Sequence, residues 1–422
     1  MRRGLVAATV IAALTAGVAA CGPGGEGKSG ADGFKGQTLT LWAMDGSTPE
    51  KWQKDVKAAF EKKTGAKLKL EVQQWNGIQQ KLTTALSEPE PPDVVEVGNT
   101  QTPAYAKTGG LADLSDLRKT IGKDWTESVN KSAVYGGKQY AAPWYTVNRT
   151  VIYNKRIWAE AGVDKTPKTR AEFFDALDAI KRKTDAEPLY LPGQNWYFFD
   201  GLLIGEHADL VRKQGGKWVS DLSNPKVGAA MRTYEKYASY SKAPKDKDEA
   251  TPQQAEVFAK GKTGAFIGLG WEAATAIKAN PKIEKDIGYF TIPGEKAGKP
   301  EGVFLGGSNL AVAAGSEKQE LAREFLKIAL SDEFEGALAE EGGVIPNKES
   351  LQKKVEGNPA AETAAPAVAG GGLTPLIPQW AAVENPPNPV KRYMTAVLKG
   401  KSHAAAAASV EDEFNKRLSQ KQ

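Results

Sequence analysis

The chain has 422 residues, 41% hydrophobic and 25% charged, with a formal net charge of +5. Its lysines are scattered among acids, so a nucleic-acid partner is unsupported. One cysteine and two histidines rule out an intrachain disulfide and argue against a zinc, iron–sulfur or His-rich metal site, and no cofactor is implied.

The first residues read as an address rather than as fold. Arg2 and Arg3 precede Leu5 to Ala20, an uncharged run of apolar and small residues too short for a comfortable span, which needs about 20 apolar residues. The run ends in Val18-Ala19-Ala20-Cys21, which resembles a bacterial lipobox. The resemblance implies cleavage after residue 20, acylation of Cys21 and a lipid anchor on the outer face of the cell membrane. Loss of Arg2 and Arg3 leaves 54 basic against 51 acidic residues, a charge of +3. Residues 21–36 are rich in glycine and poor in apolar groups, so a flexible tether is expected.

The body of roughly 400 residues exceeds what a single core usually serves, which predicts two lobes. Thr38 to Trp42 alternates as a strand and runs into the polar loop Met44 to Ser47. Thr48 is placed to cap a helix with Pro49 at its first position. Trp52, Val56, Ala59 and Phe60 recur at helical spacing until Gly65, which marks core packing for Trp52. Leu68, Leu70 and Val72 predict a second strand, Ile78, Leu82 and Leu86 a helix, and Asp93 to Val97 a third strand closing on Gly98-Asn99. Strands alternating with helices at this interval predict an α/β fold on a parallel sheet.

The pattern breaks near Gly137 to Pro143 and restarts with the β-branched run Thr150 to Lys155. Helices are expected over 171–183, 227–240 and 253–260, a buried strand over 263–271, and another crossing over 302–309. Trp158 has the spacing of a core residue. Residues 360–372 are Ala- and Gly-rich and read as an irregular loop.

Several segments in this order resemble one family. They include Phe60-Glu61-Lys62-Lys63-Thr64-Gly65, Pro92-Asp93-Val94-Val95, Tyr105-Ala106-Lys107-Thr108-Gly109-Gly110-Leu111 and Gly137-Lys138-Gln139-Tyr140-Ala141-Ala142-Pro143. Ile152-Tyr153-Asn154-Lys155, Phe258 to Gly264 and Ala322 to Leu326 continue the series. The chain is similar to the extracellular carbohydrate-binding proteins of ABC importers, the relatives of maltose-binding protein. Arg170 departs from the tryptophan many relatives carry there. The resemblance implies a two-lobed periplasmic-binding-protein-like fold of type II, with the ligand cleft between lobes joined by hinge crossings. The first lobe would span 37–146 with 304–349 returning to it, and the second 147–303 with 350–422. The crossings are expected near Pro143 to Arg149 and Gly302 to Ser308.

A sugar ring packs its C–H face on an aromatic ring and needs paired donors and acceptors for its hydroxyls. Trp271, after Gly270 at a strand end, matches the family's Gly-x-Trp position, and Trp380 matches another stacking position. Trp75, which follows the second strand, Trp144 and Tyr145 at the first crossing, and Asn195 and Trp196 in Gln194-Asn195-Trp196-Tyr197 are further candidates. Asp45, Asn99, Gln101, Glu272, Ser308 and Asn309 are the polar candidates. A carboxylate can take two adjacent hydroxyls, which draws attention to Asp45 and Glu272. Asp45 could equally cap the following helix.

A secreted glycoside hydrolase would need two carboxylates set about 5 to 9 Å apart, and no paired motif selects them. His207 and His403 supply no catalytic triad. The whole-chain resemblance implies instead a monomeric, non-enzymatic receptor that binds an oligosaccharide and delivers it to membrane permease subunits. Peptide, polyamine and metal ligands fit the chain less well. Leu41-Trp42-Ala43-Met44-Asp45-Gly46-Ser47 and Gln74-Trp75-Asn76-Gly77 are similar to receptors for chitobiose and N-acetylglucosamine oligomers from high-GC Gram-positive bacteria. Glucose- or xylose-based oligosaccharides are the alternative.

Overall fold

The computed structural model describes residues 33–420. The predicted leader, Cys21 and most of the tether lie outside the described residues. Gly33–Gly36 form a turn, and Phe34, expected in the tether, packs against the first hydrophobic core.

The first sheet begins with β1 (Thr38–Met44), β2 (Lys67–Gln73) and β3 (Val94–Gly98), which run parallel with β1 between the other two. In β1, Leu39, Leu41 and Ala43 enter one core, where Trp52, Val56 and Phe60 of the helix Glu50–Thr64 meet them. Val95 and Val97 of β3 join Leu82 and Tyr105 in a second cluster, with Trp42 packed against it. Both faces of the sheet are thus covered by helices, as parallel pairing requires. The helix Glu50–Thr64 ends where predicted, at Gly65 with φ 72° and its N–H on the Glu61 carbonyl at 2.9 Å. Its start differs. Thr48 makes no cap, because the Gln53 amide occupies its hydroxyl and carbonyl at 3.0 Å.

A short hairpin, β4 (Val134–Tyr135) and β5 (Lys138–Gln139), leads into β6 (Ala142–Val147). The chain then crosses through Asn148 and Arg149 into β7 (Thr150–Asn154). A surface hairpin follows, β8 (Val211–Gln214) with β9 (Lys217–Ser220). The second sheet is completed by β10 (Ala265–Gly268) and β11 (Ile287–Phe290), which pair antiparallel on either side of β7. The chain returns to the first sheet as β12 (Gly306–Val312) and β13 (Ile345–Pro346), giving the order β13-β6-β12-β3-β1-β2. The parallel expectation therefore holds only for β2-β1-β3. β12, by which the chain re-enters from the other lobe, runs antiparallel to both β3 and β6, and β13 pairs antiparallel with β6.

The second lobe has its own core, in which Val151, Trp158, Phe173, Phe199, Tyr237 and Trp380 belong to one cluster. Three chain segments run side by side between the lobes. Asn148 donates to the Ala364 carbonyl at 3.0 Å. Leu305 donates to Gly372 at 2.8 Å, and Gly372 to Val303 at 3.0 Å. Residues 360–372, expected as irregular, instead fall largely in the helix Pro359–Ala364 and the 3-10 helix Ala365–Gly370. The start signal overlooked there is Asn358-Pro359, whose asparagine side chain accepts from the Ala361 N–H at 3.2 Å.

Two glycines are required by this joint. Gly307 has φ 129°, and any Cβ there would collide with the Tyr145 carbonyl across the ladder. Gly302 lies against the backbone of Gly201 and Gly205 in the helix Trp196–Gly205, with no room for a side chain. Among the described residues no helix is long and apolar enough to cross a membrane.

Candidate functional site

The loops after β1, β2 and β3 all emerge from the carboxyl edge of the first sheet, the usual ligand edge of an open α/β sheet. They carry Asp45, Trp75 and the stretch Asn99–Gln101. Asp45 is exposed, and Trp75 is 46% exposed although it is an indole. Its Nε1 donates to the Asp45 carbonyl at 3.1 Å, so the ring is fixed while a face stays open to solvent.

On the second lobe Trp271 is likewise 46% exposed. It sits in the first turn of the helix Gly270–Ala279 rather than on the strand itself. A Cβ on the neighbouring Gly270 would come within 2.9 Å of the Ala360 Cβ and 3.7 Å of the Gly343 carbonyl. Each lobe thus presents one exposed indole. An exposed large aromatic ring loses the hydrophobic gain of burial, which makes such a pair informative.

The other sequence candidates are placed as follows. Gln101 donates to the Glu384 carboxylate, a direct hydrogen bond from the first lobe to the second. Asn99 is buried and donates to the Leu305 carbonyl of the second crossing at 2.7 Å. Tyr145 and Ser308 are buried below the loop after β1, their hydroxyls 3.1 Å apart. Asn309 donates to Thr102 at 2.9 Å and Ser132 at 3.2 Å inside the first lobe.

Asn195 caps the helix Trp196–Gly205, and Trp196 is buried between Tyr197 and Trp380. Trp144 and Trp380 have no exposed face. Trp144 packs against Trp52 at 5.4 Å in the first core, and Trp380 against Trp196 and Phe414 in the second. The Trp144 and Tyr145 rings meet at 5.4 Å in the same core, so neither indole nor phenol is free. Glu272, beside Trp271, is buried and accepts from the Leu269 N–H and the Gln254 amide, each at 2.8 Å. Burial pushes its carboxyl up to about 7 against these hydrogen bonds.

Sequence reasoning missed a connected group at the same place. Tyr197 donates to Glu384 at 2.5 Å and stacks on Phe304 of the second crossing at 4.7 Å and 14°. Arg149, from the first crossing, lies 5.2 Å from the Tyr197 ring and pairs with Glu249 at 2.7 Å. Burial raises the Glu384 carboxyl, while hydrogen bonds from Thr100, Tyr197 and Gln101 act the other way. One sequence signal did exist. Glu384 ends its short helix, where a carboxylate opposes the helix dipole and so wants other partners.

Two α/β lobes joined by three connecting segments, with a polar contact from one lobe to the other, define the architecture of a solute-binding protein. The chain belongs to the bacterial extracellular solute-binding proteins, whose family model matches residues 45–335. It is 68% identical over 425 residues to the diacetylchitobiose binding protein DasA of Streptomyces coelicolor, covering 100% of both chains. It is 27% identical to a maltooligosaccharide ABC transporter solute-binding lipoprotein of Streptococcus pneumoniae, over 88% of this chain and 86% of that one. Among solved structures, the GacH receptor of Streptomyces glaucescens, described unliganded and with acarbose, superposes with a TM-score of 0.77 at 26% identity. That match covers 92% of this chain and 99% of the other. The sugar-binding protein MalE of Xanthomonas citri gives a TM-score of 0.78 at 21% identity, over 90% and 97%, which speaks for the fold alone.

Proposed function

We propose that this protein captures diacetylchitobiose and related N-acetylglucosamine oligomers outside the cell and delivers them to the permease of an ABC importer. The observation that carries this is the 68% identity to DasA over the whole of both chains. In this reading Trp75 and Trp271 pack on the C–H faces of the sugar from opposite lobes. Asp45, Gln101 and Glu384 take its hydroxyls, because a carboxylate accepts from two neighbours at once. The buried candidates Asn99, Trp144, Tyr145, Asn195, Trp196, Glu272, Ser308, Asn309 and Trp380 support these groups from within the lobes.

The protein acts as a monomeric receptor and not as an enzyme, and the two lobes divide near residue 147, with returns near 304 and 350. Cys21 carries the lipid that holds it to the outer face of the membrane, a role supported by the lipobox-like Val18-Ala19-Ala20-Cys21 and by the lipoprotein relative. Lobe closure on the sugar is the state the permease reads.

The test is the thermal midpoint and tryptophan fluorescence of the protein with diacetylchitobiose, N-acetylglucosamine, cellobiose, xylobiose, maltose and trehalose. A ligand at 100 times its dissociation constant adds about 2.7 kcal/mol of stability. A shift with diacetylchitobiose alone supports the reading, and a shift with maltose instead would assign the site to glucose oligomers. No shift with any sugar would overturn it.

A further inference from the structure

The strand Val94-Val95-Glu96-Val97 carries one acid in an otherwise apolar run at the centre of the first sheet, and Glu96 is 1% exposed. A buried carboxylate is costly unless donors surround it. Three groups donate to it here. Its Oε2 accepts the Met44 N–H at 2.7 Å, and its Oε1 accepts the hydroxyls of Ser47 at 2.7 Å and Tyr145 at 2.9 Å. The Tyr145 hydroxyl in turn lies 3.1 Å from Ser308 Oγ. The donors and Ser308 together come from three separate segments. Met44 and Ser47 bracket the turn after β1, Tyr145 lies on β6, and Ser308 lies on β12.

The placement has a backbone reason. The parallel ladder between β1 and β3 pairs Leu41 with Val94 and Trp42 with Val95, and then stops. Beyond it the Met44 N–H has no strand partner on that side, and the Glu96 side chain supplies one. The turn so held carries the Asp45 carbonyl, which receives the Trp75 indole N–H at 3.1 Å. An unbroken series of contacts therefore runs from Glu96, through Met44 and Ser47, to the open indole. At the other end it reaches the strands that lead into both crossings.

We propose that Glu96 is a positioning residue for the sugar cleft, fixing the Met44–Ser47 turn, and through the Asp45 carbonyl the Trp75 ring, to the strands β6 and β12. It touches no ligand itself. The inference rests on the reading of Trp75 as a sugar platform.

The test uses the full-length protein as Glu96→Ala, Glu96→Gln and Ser47→Ala. Three quantities are measured: the indole N–H resonance of Trp75, identified by its loss in Trp75→Phe; the thermal midpoint; and the diacetylchitobiose affinity by calorimetry. Glu96→Ala is expected to move the Trp75 resonance without sugar, leave the Trp271 resonance in place, and weaken affinity ten- to a hundredfold. Glu96→Gln should restore part of both effects, since its carbonyl can still accept the Met44 N–H and the two hydroxyls can turn to suit the amide. Ser47→Ala removes one donor and gives the same sign should Glu96→Ala not fold.

A lowered midpoint with an unmoved Trp75 resonance, or an unchanged affinity, would make Glu96 a stabilising residue only and overturn the proposal. Wild-type protein that binds no sugar would overturn the functional reading instead, while the Trp75 resonance would still decide the positioning role.

Discussion

Gln101, on the loop after β3, donates its side-chain amide to the carboxylate of Glu384, which ends a helix in the core of the other lobe. The same carboxylate receives the Tyr197 hydroxyl at 2.5 Å, and Tyr197 stacks on Phe304 in the second crossing. A contact between lobes is thereby tied to the segment about which they turn.

Removing that contact should loosen the lobes. A hydrogen bond to a charged group contributes about 1.5 to 3 kcal/mol. Gln101→Ala is therefore expected to shift the ligand-free protein towards more separated lobes by roughly ten- to a hundredfold in population. Small-angle scattering without sugar would register this as a larger radius of gyration. An unchanged scattering curve would mean that Gln101 and Glu384 do not hold the lobes together.

Trp271 is 46% exposed, so its side chain contributes little to folding. Trp271→Ala should abolish most sugar binding, with a loss of about 2 kcal/mol or more, while the midpoint without ligand moves by less than about 2 °C. Calorimetry beside thermal unfolding separates the two effects. An equal loss of ligand-free stability would place the indole in the lobe's packing.

Trp144 should behave in the opposite way. It is fully buried against Trp52 and Tyr145. Trp144→Ala should lower unfolding stability by about 3 to 5 kcal/mol, through lost burial and a cavity. Urea unfolding would measure it as a fall in midpoint. Conservative Trp144→Phe should keep most of the sugar affinity if this indole only packs.

Asp200 predicts a pH dependence. It lies within the helix Trp196–Gly205, with Oδ2 buried and without a partner. Burial, with smaller contributions from Glu384 and Asp209, pushes its carboxyl up from 3.8 to about 7. Between those values the folded chain holds a proton that the unfolded chain has released. Stability from this group is therefore present at low pH and is lost as pH rises towards 7, with no further change above. Asp200→Asn should leave the midpoint unchanged at pH 4 and below, and raise it by roughly 3 to 8 °C at pH 8. A midpoint raised equally at pH 3.5 and pH 8 would show that titration is not the cause.

The parts of this molecule legible in sequence were those set by local chemistry. Gly65 stops its helix because only a residue at ease with positive φ can sit there. Trp52 and Trp158 read as core from helical spacing alone, and both are buried. The strand-end rule picked out the Trp75 and Trp271 regions. Burial of Trp144 and Trp380 was not legible, because a tryptophan beside a crossing looks the same whether it faces a cleft or the neighbouring helix. The partners of Glu384 were hidden for another reason. Thr100, Gln101 and Tyr197 lie between 187 and 284 positions away in sequence, and no periodicity links them. The antiparallel pairing in the first sheet was hidden likewise, since β12 comes back to β3 and β6 only after the chain has passed through the other lobe.

The glycine-on-helix contact at Gly302 determines where a pivot axis can pass. Up to that residue the second crossing is fastened to the helix Trp196–Gly205, since its backbone rests on Gly201 and Gly205. Turning is left to the few residues before β12 begins at Gly306, and in the first crossing to Asn148 and Arg149. These short segments, with the third hydrogen-bonded beside them at Ala364 and Gly372, work like the pins of a door. They allow swing about the line joining them and resist twist. If Trp75 and Trp271 grip the sugar as proposed, such a door returns them to the same alignment each time it shuts, and selectivity for a ligand of fixed length resides in the frame as much as in the rings.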